Sequence, residues 1–183
     1  MAGIYIHIPF CRQNCHYCDF YYSVSLHYKS QMVDALKNEI TLRKKYLENE
    51  IIETIYFGGG TPSILSLDDI KDVLNTVSKY FRLSKSIEIT LEANPDDLTI
   101  DYGIGLKQIG INRISIGVQS FDDTDLTLMN RRHNSKKAEE AIHMLKTIAV
   151  ENFSIDLIYA VPGSSEKTLK NNLCSGICAH QDV

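Results

Sequence analysis

The sequence predicts an α/β fold with a mostly parallel sheet, arranged as a partial β/α barrel. Three observations predict it. Strand-like and helix-like segments take turns along the chain, which favours parallel strands joined by right-handed crossovers. No repeat, low-complexity tract or linker interrupts the 183 residues, so one domain over 1–183 is expected. The polar residues that stand out fall at or near the carboxyl ends of several different strands. A barrel collects its chemistry in that way, whereas an open sheet concentrates it at one switch point.

The elements follow in order. GIYIHI (3–8) alternates, with Ile4, Ile6 and Ile8 on one face. A helix over 27–48 is predicted from Val33, Leu36, Ile40 and Leu47, with Glu39 and Arg43 paired four apart outside. IIETIYF (51–57) is the second strand and runs into GGGTPS. Ser66 and Asp69 form a capping-box pattern before a helix with the stripe Ile70, Val73, Leu74 and Val77. SIEITLEA (86–93) is the third strand, followed by a short helix at 99–108. NRISIGV (112–118) is the fourth, followed by a short helix at 122–129. A longer helix begins at Ser135, FSIDLIY (153–159) is the fifth strand, and a last helix begins near Ser165.

Composition excludes some partners. A formal charge of −4 gives no electrostatic reason to expect nucleic acid. No apolar run approaches the ~20 residues of a membrane span. MAGIYIHIPF lacks the basic start and continuous apolar core of a signal peptide. The expected compartment is therefore the reducing cytoplasm, where five cysteines, an odd number, serve as thiols or metal ligands.

FCRQNCHYCDF (10–20) places Cys11, Cys15 and Cys18 within eight residues of a polar loop. Inert thiols, a zinc site completed by His7 or His16, and an iron–sulfur cluster all fit the spacing, with the cluster favoured and zinc its main competitor. Three cysteines on a [4Fe–4S] cluster leave one iron without a protein ligand. That iron can chelate the amine and carboxylate of S-adenosylmethionine (SAM), whose sulfonium a reduced cluster cleaves to a 5′-deoxyadenosyl radical. FGGGTPS (57–63) can bring backbone close to such a ligand, with N–H and C=O groups free to receive it. It is not a P-loop, because no G-K-[ST] follows. Glu92 can take the two hydroxyls of a ribose, and Asp156, a carboxylate within an apolar strand, must be paired or line a cavity. Gln119 and Arg131 are polar candidates of the same kind, while His7 and His133 read more readily as packed or surface residues.

Together, CRQNCHYCDF, YFGGGTPS, ITLEANPDDL, RISIGVQSFDD, NRRH and DLIYAVPG resemble the radical SAM superfamily, in particular its oxygen-independent coproporphyrinogen III oxidase-like family. The resemblance implies a [4Fe–4S] cluster on Cys11, Cys15 and Cys18. It implies SAM contacts from Tyr5, Tyr17, Gly59, Gly60, Thr61, Glu92, Gln119, Arg131 and Asp156, with Gly58 in the same turn. Oxidases of the family have a further cysteine two residues after the third and an extension before the first strand. Here that position is Phe20 and the first strand starts near Met1, which puts the family's haem chaperone branch ahead, with the oxidative decarboxylation of coproporphyrinogen III as the alternative function. The implied partners are SAM, haem or a porphyrinogen, a haem-acceptor protein, and an electron donor if radical chemistry occurs. The family continues through a sixth strand and a C-terminal region carrying its haem motif, so the chain is expected to be its N-terminal part. His133-Asn134 is not that motif. Cys174 and Cys178 sit four apart on the last helix, and inert thiols are expected there.

Overall fold

The computed structural model describes residues 2–48 and 50–181, with the side chains of 178–181 excepted. Five strands, β1 (Ala2–Ile8), β2 (Ile51–Gly59), β3 (Arg82–Ala93), β4 (Arg113–Gln119) and β5 (Phe153–Leu157), pair in parallel in the order β1-β2-β3-β4-β5. That order contains no reversal, so there is no switch point of the doubly wound kind. Right-handed crossovers between successive strands in that order carry the connections over one face, as in a barrel wall. The expected partial β/α barrel is what the chain builds.

The helices are α1 (Lys29–Leu42), α2 (Leu67–Tyr80), α3 (Ile100–Gln108), α4 (Asp123–Leu128), α5 (Ser135–Thr147) and α6 (Glu166–Gln181). The two longest-striped of them, α2 and α5, start at side-chain caps. Ser66 and Asp69 bond reciprocally at the start of α2, as the capping box requires, and Asn134 caps α5 through Lys137 N–H. Residues Ile70, Val73, Leu74 and Val77 of α2 and Ala138, Ala141, Ile142 and Leu145 of α5 are buried against the sheet. They meet Ile6, Ile8, Ile55, Phe57, Leu91, Ile114 and Ile116 in one core.

Two boundaries differ from expectation by four residues or more, and the others by one or two. Helix α1 stops at Leu42 instead of continuing to 48, and tight turns with a left-handed Glu48 (φ 51°) lead to β2. RKKYLENE offers only Leu47 to the core, so no buried stripe holds another helical turn. Strand β3 begins at Arg82, four residues early, because Arg82 and Leu83 pair with Ile51 and Ile52 before a register shift. RLSKS carries no alternation that would announce this. Among the described residues no helix is long and apolar enough to cross a membrane.

Parallel sheets are usually covered on both faces. Here the face away from the helices carries Tyr5, His7, Tyr56, Glu88, Thr90, Glu92, Arg113, Ser115, Ser154 and Asp156, a set far too polar for a core.

Candidate functional site

The cysteines lie in the loop between β1 and α1, which has almost no secondary structure and is held by tertiary bonds. Its base is closed by Cys11 N–H to Ser23 O (3.0 Å) and Ser23 N–H to Pro9 O (2.8 Å). Its far side docks on the α4–α5 connection. Gln13 Nε2 donates to Asn130 O (2.7 Å), Asn130 Nδ2 donates to Asn14 O (2.6 Å), and His16 N–H donates to Met129 O (3.1 Å). The His16 imidazole spends Nδ1–H on Leu128 O at 2.9 Å, since a carbonyl only accepts.

Arg131 ties the loop to the sheet. Its Nη2 donates to Asn94 Oδ1 and Gly117 O, both at 2.7 Å, and its Nη1 reaches Tyr17 OH at 3.1 Å and Cys15 Sγ at 3.5 Å. Thr61 Oγ1 approaches Cys11 Sγ at 3.5 Å. Burial pushes the Cys11 thiol up, opposed by the Thr61 hydroxyl and the Arg131 cation. Burial also raises the Tyr17 phenol to about 12 against the pull of Arg131.

The glycine turn after β2 shows why its residues are small. Gly59 has φ +112°, a conformation that favours glycine. A Cβ on Gly60 would stand 2.7 Å from Phe10 O and 2.9 Å from Cys11 Sγ, so only glycine lets this turn meet the cysteine loop. The expectation of free N–H groups is corrected. Gly60 N–H is spent on Ile8 O (2.8 Å) and Gly59 N–H on Glu92 Oε2 (3.2 Å). Glu92 also accepts from Tyr56 OH at 2.7 Å through Oε1. Burial raises its pKa, and these two donors oppose the rise.

All three thiols line one cavity, together with Gly60, Thr61 and Arg131. Beside it, a cleft of about 210 Å³ is walled by Tyr17, Cys18, Gly59, Gly60, Thr61, Glu92, Gln119, Arg131 and Asp156. Residues from the ends of four strands and two loops thus converge. Tyr5 and Gly58 stand beside the cleft: the Tyr5 ring stacks on Tyr56 at 6.0 Å, and its hydroxyl meets His7 Nδ1 at 3.1 Å. Asp156 faces the open side and is both bonded, through Ser115, and on the cleft wall. His133 is buried, donates Nε2–H to Val118 O (3.0 Å), and is driven down to about 4 by burial and by Arg131. Cys174 is exposed, and the Cys178 side chain lies outside the described residues. Sequence reasoning missed Asn94, Tyr56 and Asn130. The only signal was Asn94 directly before a proline at a strand end.

The donors gathered on one cavity are the three thiols, while His16 spends Nδ1–H on Leu128 O and keeps Nε2 outside that bond. Three sulfurs facing one cavity with a cation beside them fit thiolate ligation of a larger group.

Comparison with known proteins agrees with this arrangement. Residues 5–173 match the Radical SAM superfamily model, and the chain belongs to that superfamily, whose cofactors are a [4Fe–4S] cluster and SAM. More particularly, it is 42% identical over 89% of its length to the heme chaperone HemW of Buchnera aphidicola from Acyrthosiphon pisum, and 35% identical over 94% to that of Bacillus subtilis. It spans 44% and 46% of those two relatives. Among solved structures, coproporphyrinogen III oxidase HemN from Escherichia coli, a radical SAM enzyme, superposes with TM-score 0.88 at 28% identity. That match covers 97% of this chain and 41% of that one.

Proposed function

We propose that this chain is the cofactor-binding part of a cytoplasmic haem chaperone of the radical SAM type, folded as one domain over 1–183. Cys11, Cys15 and Cys18 would hold a [4Fe–4S] cluster. Tyr17, Gly59, Gly60, Thr61, Glu92, Gln119, Arg131 and Asp156 would hold SAM, with Tyr5 and Gly58 supporting that wall from beside it. One observation carries the reading: residues scattered from 11 to 156 line two adjoining cavities. When bound, the reduced cluster supplies one electron to the sulfonium of SAM. The chain's own residues bind and orient. Arg131 sets a cation beside the sulfurs, Glu92 and Asp156 offer acceptors to hydroxyls and amines, and Gly60 lets the turn approach the thiols.

Haem enters through the HemW relatives, and delivery to an acceptor protein is the activity proposed for the whole protein. The likeness to HemN favours a second reading, an oxidative decarboxylation of coproporphyrinogen that would need an electron donor. Phe20, 72% exposed on the cleft wall where the oxidases have a cysteine, argues for the chaperone.

Anaerobic reconstitution with iron and sulfide, read by metal analysis and by EPR with and without SAM, tests the cofactor site. A four-iron signal perturbed by SAM is expected, and Cys→Ala at position 11, 15 or 18 should abolish it. About one zinc per chain and no cluster signal would sink the reading in favour of a zinc-stabilised α/β module. In the full-length protein, haem binding without coproporphyrinogen turnover is expected, and turnover without haem binding would reverse the order.

A further inference from the structure

Beyond the cleft wall, the open face holds a line of hydrogen bonds across β3, β4 and β5. Arg113 Nη2 donates to Ser154 Oγ at 3.0 Å, and Nη1 reaches Thr90 Oγ1 at 3.5 Å. Ser154 Oγ donates to Ser115 Oγ at 3.0 Å, and Ser115 Oγ donates to both carboxylate oxygens of Asp156, each at 3.2 Å. The register makes this line possible, since Ser115 pairs with Ser154 and Gly117 with Asp156.

The direction of the line is fixed by chemistry. A guanidinium only donates and a carboxylate only accepts. Each serine has a single proton: Ser115 spends its own on Asp156 and can only accept from Ser154, so both hydroxyl protons point toward Asp156 while Ser154 accepts from Arg113. Ser115 is buried, at 5% exposure, and Thr90 is fully buried. The guanidinium stands between two carboxylates: Thr90 donates to Glu88 Oε1 at 3.0 Å on one side, and the two serines lead to Asp156 on the other.

We propose that Arg113 is the positioning residue for Asp156, fixing the orientation and charge of that carboxylate on the cleft wall through Ser154 and Ser115. Asp156 and Ser115 line the cleft, whereas Arg113 and Ser154 do not, so Arg113 acts without touching the ligand. The inference rests on the reading that Asp156 contacts SAM. Asp156 is faced by Glu92 on β3, Tyr56 on β2 and Arg113 on β4. Desolvation raises its pKa, while the Ser115 hydroxyl and the Arg113 cation lower it. Without Arg113, desolvation and the neighbouring Glu92 carboxylate act unopposed by a cation.

Two measurements on the whole chain test this. The first is a carboxyl-carbon NMR titration of the ligand-free protein, with Asp156 identified from Asp156→Asn. Arg113→Met and Ser154→Ala should both move its midpoint upward, and Arg113→Lys should restore part of the shift. An unchanged midpoint in Arg113→Met overturns the proposal; if that variant fails to fold, an unchanged midpoint in Ser154→Ala does so. The second is SAM affinity by calorimetry on reconstituted protein. Arg113→Met should bind about tenfold more weakly, because Asp156 is no longer held in one orientation toward the ligand. It should cost nothing further in the Asp156→Asn background. Additive losses would mean that Arg113 touches the ligand itself, contrary to the proposal. If Asp156→Asn leaves SAM affinity unchanged while the titration behaves as expected, the site reading fails and the relay stands.

Discussion

On one face of β2, Ile52, Ile55 and Phe57 are fully buried beneath the helices; on the other, Thr54 and Tyr56 stand on the open side. Tyr56 and Phe57 are neighbours in the chain and point in opposite directions, because side chains alternate along a strand. Phe57 contributes apolar area and packing, while Tyr56 spends its hydroxyl on Glu92 at 2.7 Å. Parallel strands buried on both faces read as continuous apolar runs, but here the alternation persists through Thr54, Tyr56, Thr90, Glu92 and Ser115. The lesson is a division of labour: one face sets the stability of the chain and the other shapes the cleft, so substitutions on the two should have separable effects.

The strongest test of that division is Phe57→Ala. Truncating a fully buried phenylalanine costs about 3–5 kcal/mol, read by chemical denaturation. Under conditions where the variant remains folded, its SAM affinity should stay near that of the unsubstituted chain. A large affinity loss in folded protein would show that the two faces are coupled.

Arg131→Leu should break the division from the open side. It leaves Asn94 Oδ1 and Gly117 O without their shared donor and releases the cysteine loop from β4. Losing these charge-assisted bonds should cost about 2–3 kcal/mol. Iron retention after reconstitution should fall with it, because Tyr17 and Cys15 lose the same anchor. Unchanged stability would mean that the loop is held well enough by Asn130 and Ser23 alone.

Glu92→Gln should separate stability from binding in opposite directions. The folded-state pKa of Glu92 lies above its ordinary value because burial outweighs its two hydrogen bonds. A raised carboxylate favours the folded chain at low pH, and that contribution is lost as pH rises through the folded pKa. At neutral pH the charge therefore costs stability, and the neutral amide removes the cost. Its oxygen can still take Gly59 N–H while the Tyr56 hydroxyl turns to accept. The ligand-free variant should melt at or above the unsubstituted chain at pH 7, the difference closing as pH falls, while SAM binds more weakly. A lower melting temperature at pH 7 would contradict this account.

Much of this division was legible from residue order alone. The alternation in GIYIHI and ITLEA announced strands with one apolar face, and the stripes of α2 and α5 announced what covers them. The three cysteines and the triple glycine were visible because local spacing carries their chemistry. What stayed hidden depends on distance and register. Asn130 meets Gln13 and Asn14 from more than a hundred residues away, and no local pattern marks it. Ser115 and Ser154 became partners only once β4 and β5 fixed their alignment. The glycine N–H groups were expected to be free because the sequence gives no sign that Ile8 and Glu92 would claim them.

The smallest expected effect concerns Gln119, where the two demands meet in one residue. It ends β4 with φ +70°, a left-handed conformation that a side chain rarely adopts, at a shift in the β4–β5 register. Its carbonyl accepts from Ile158 N–H at 2.8 Å, which holds the backbone there, and its side chain lines the cleft. Such a residue stores on the order of 1 kcal/mol of strain. Gln119→Gly relieves that strain, offset in part by the greater freedom of glycine in the unfolded chain. Gln119→Ala keeps the strain and removes only the amide. The glycine variant should therefore be about 0.5–1 kcal/mol more stable than the alanine variant, while both bind SAM equally poorly. Equal stabilities would show that the backbone there is not strained. Full SAM affinity in both would place the amide outside the ligand's reach and leave the backbone of this corner as its only contribution.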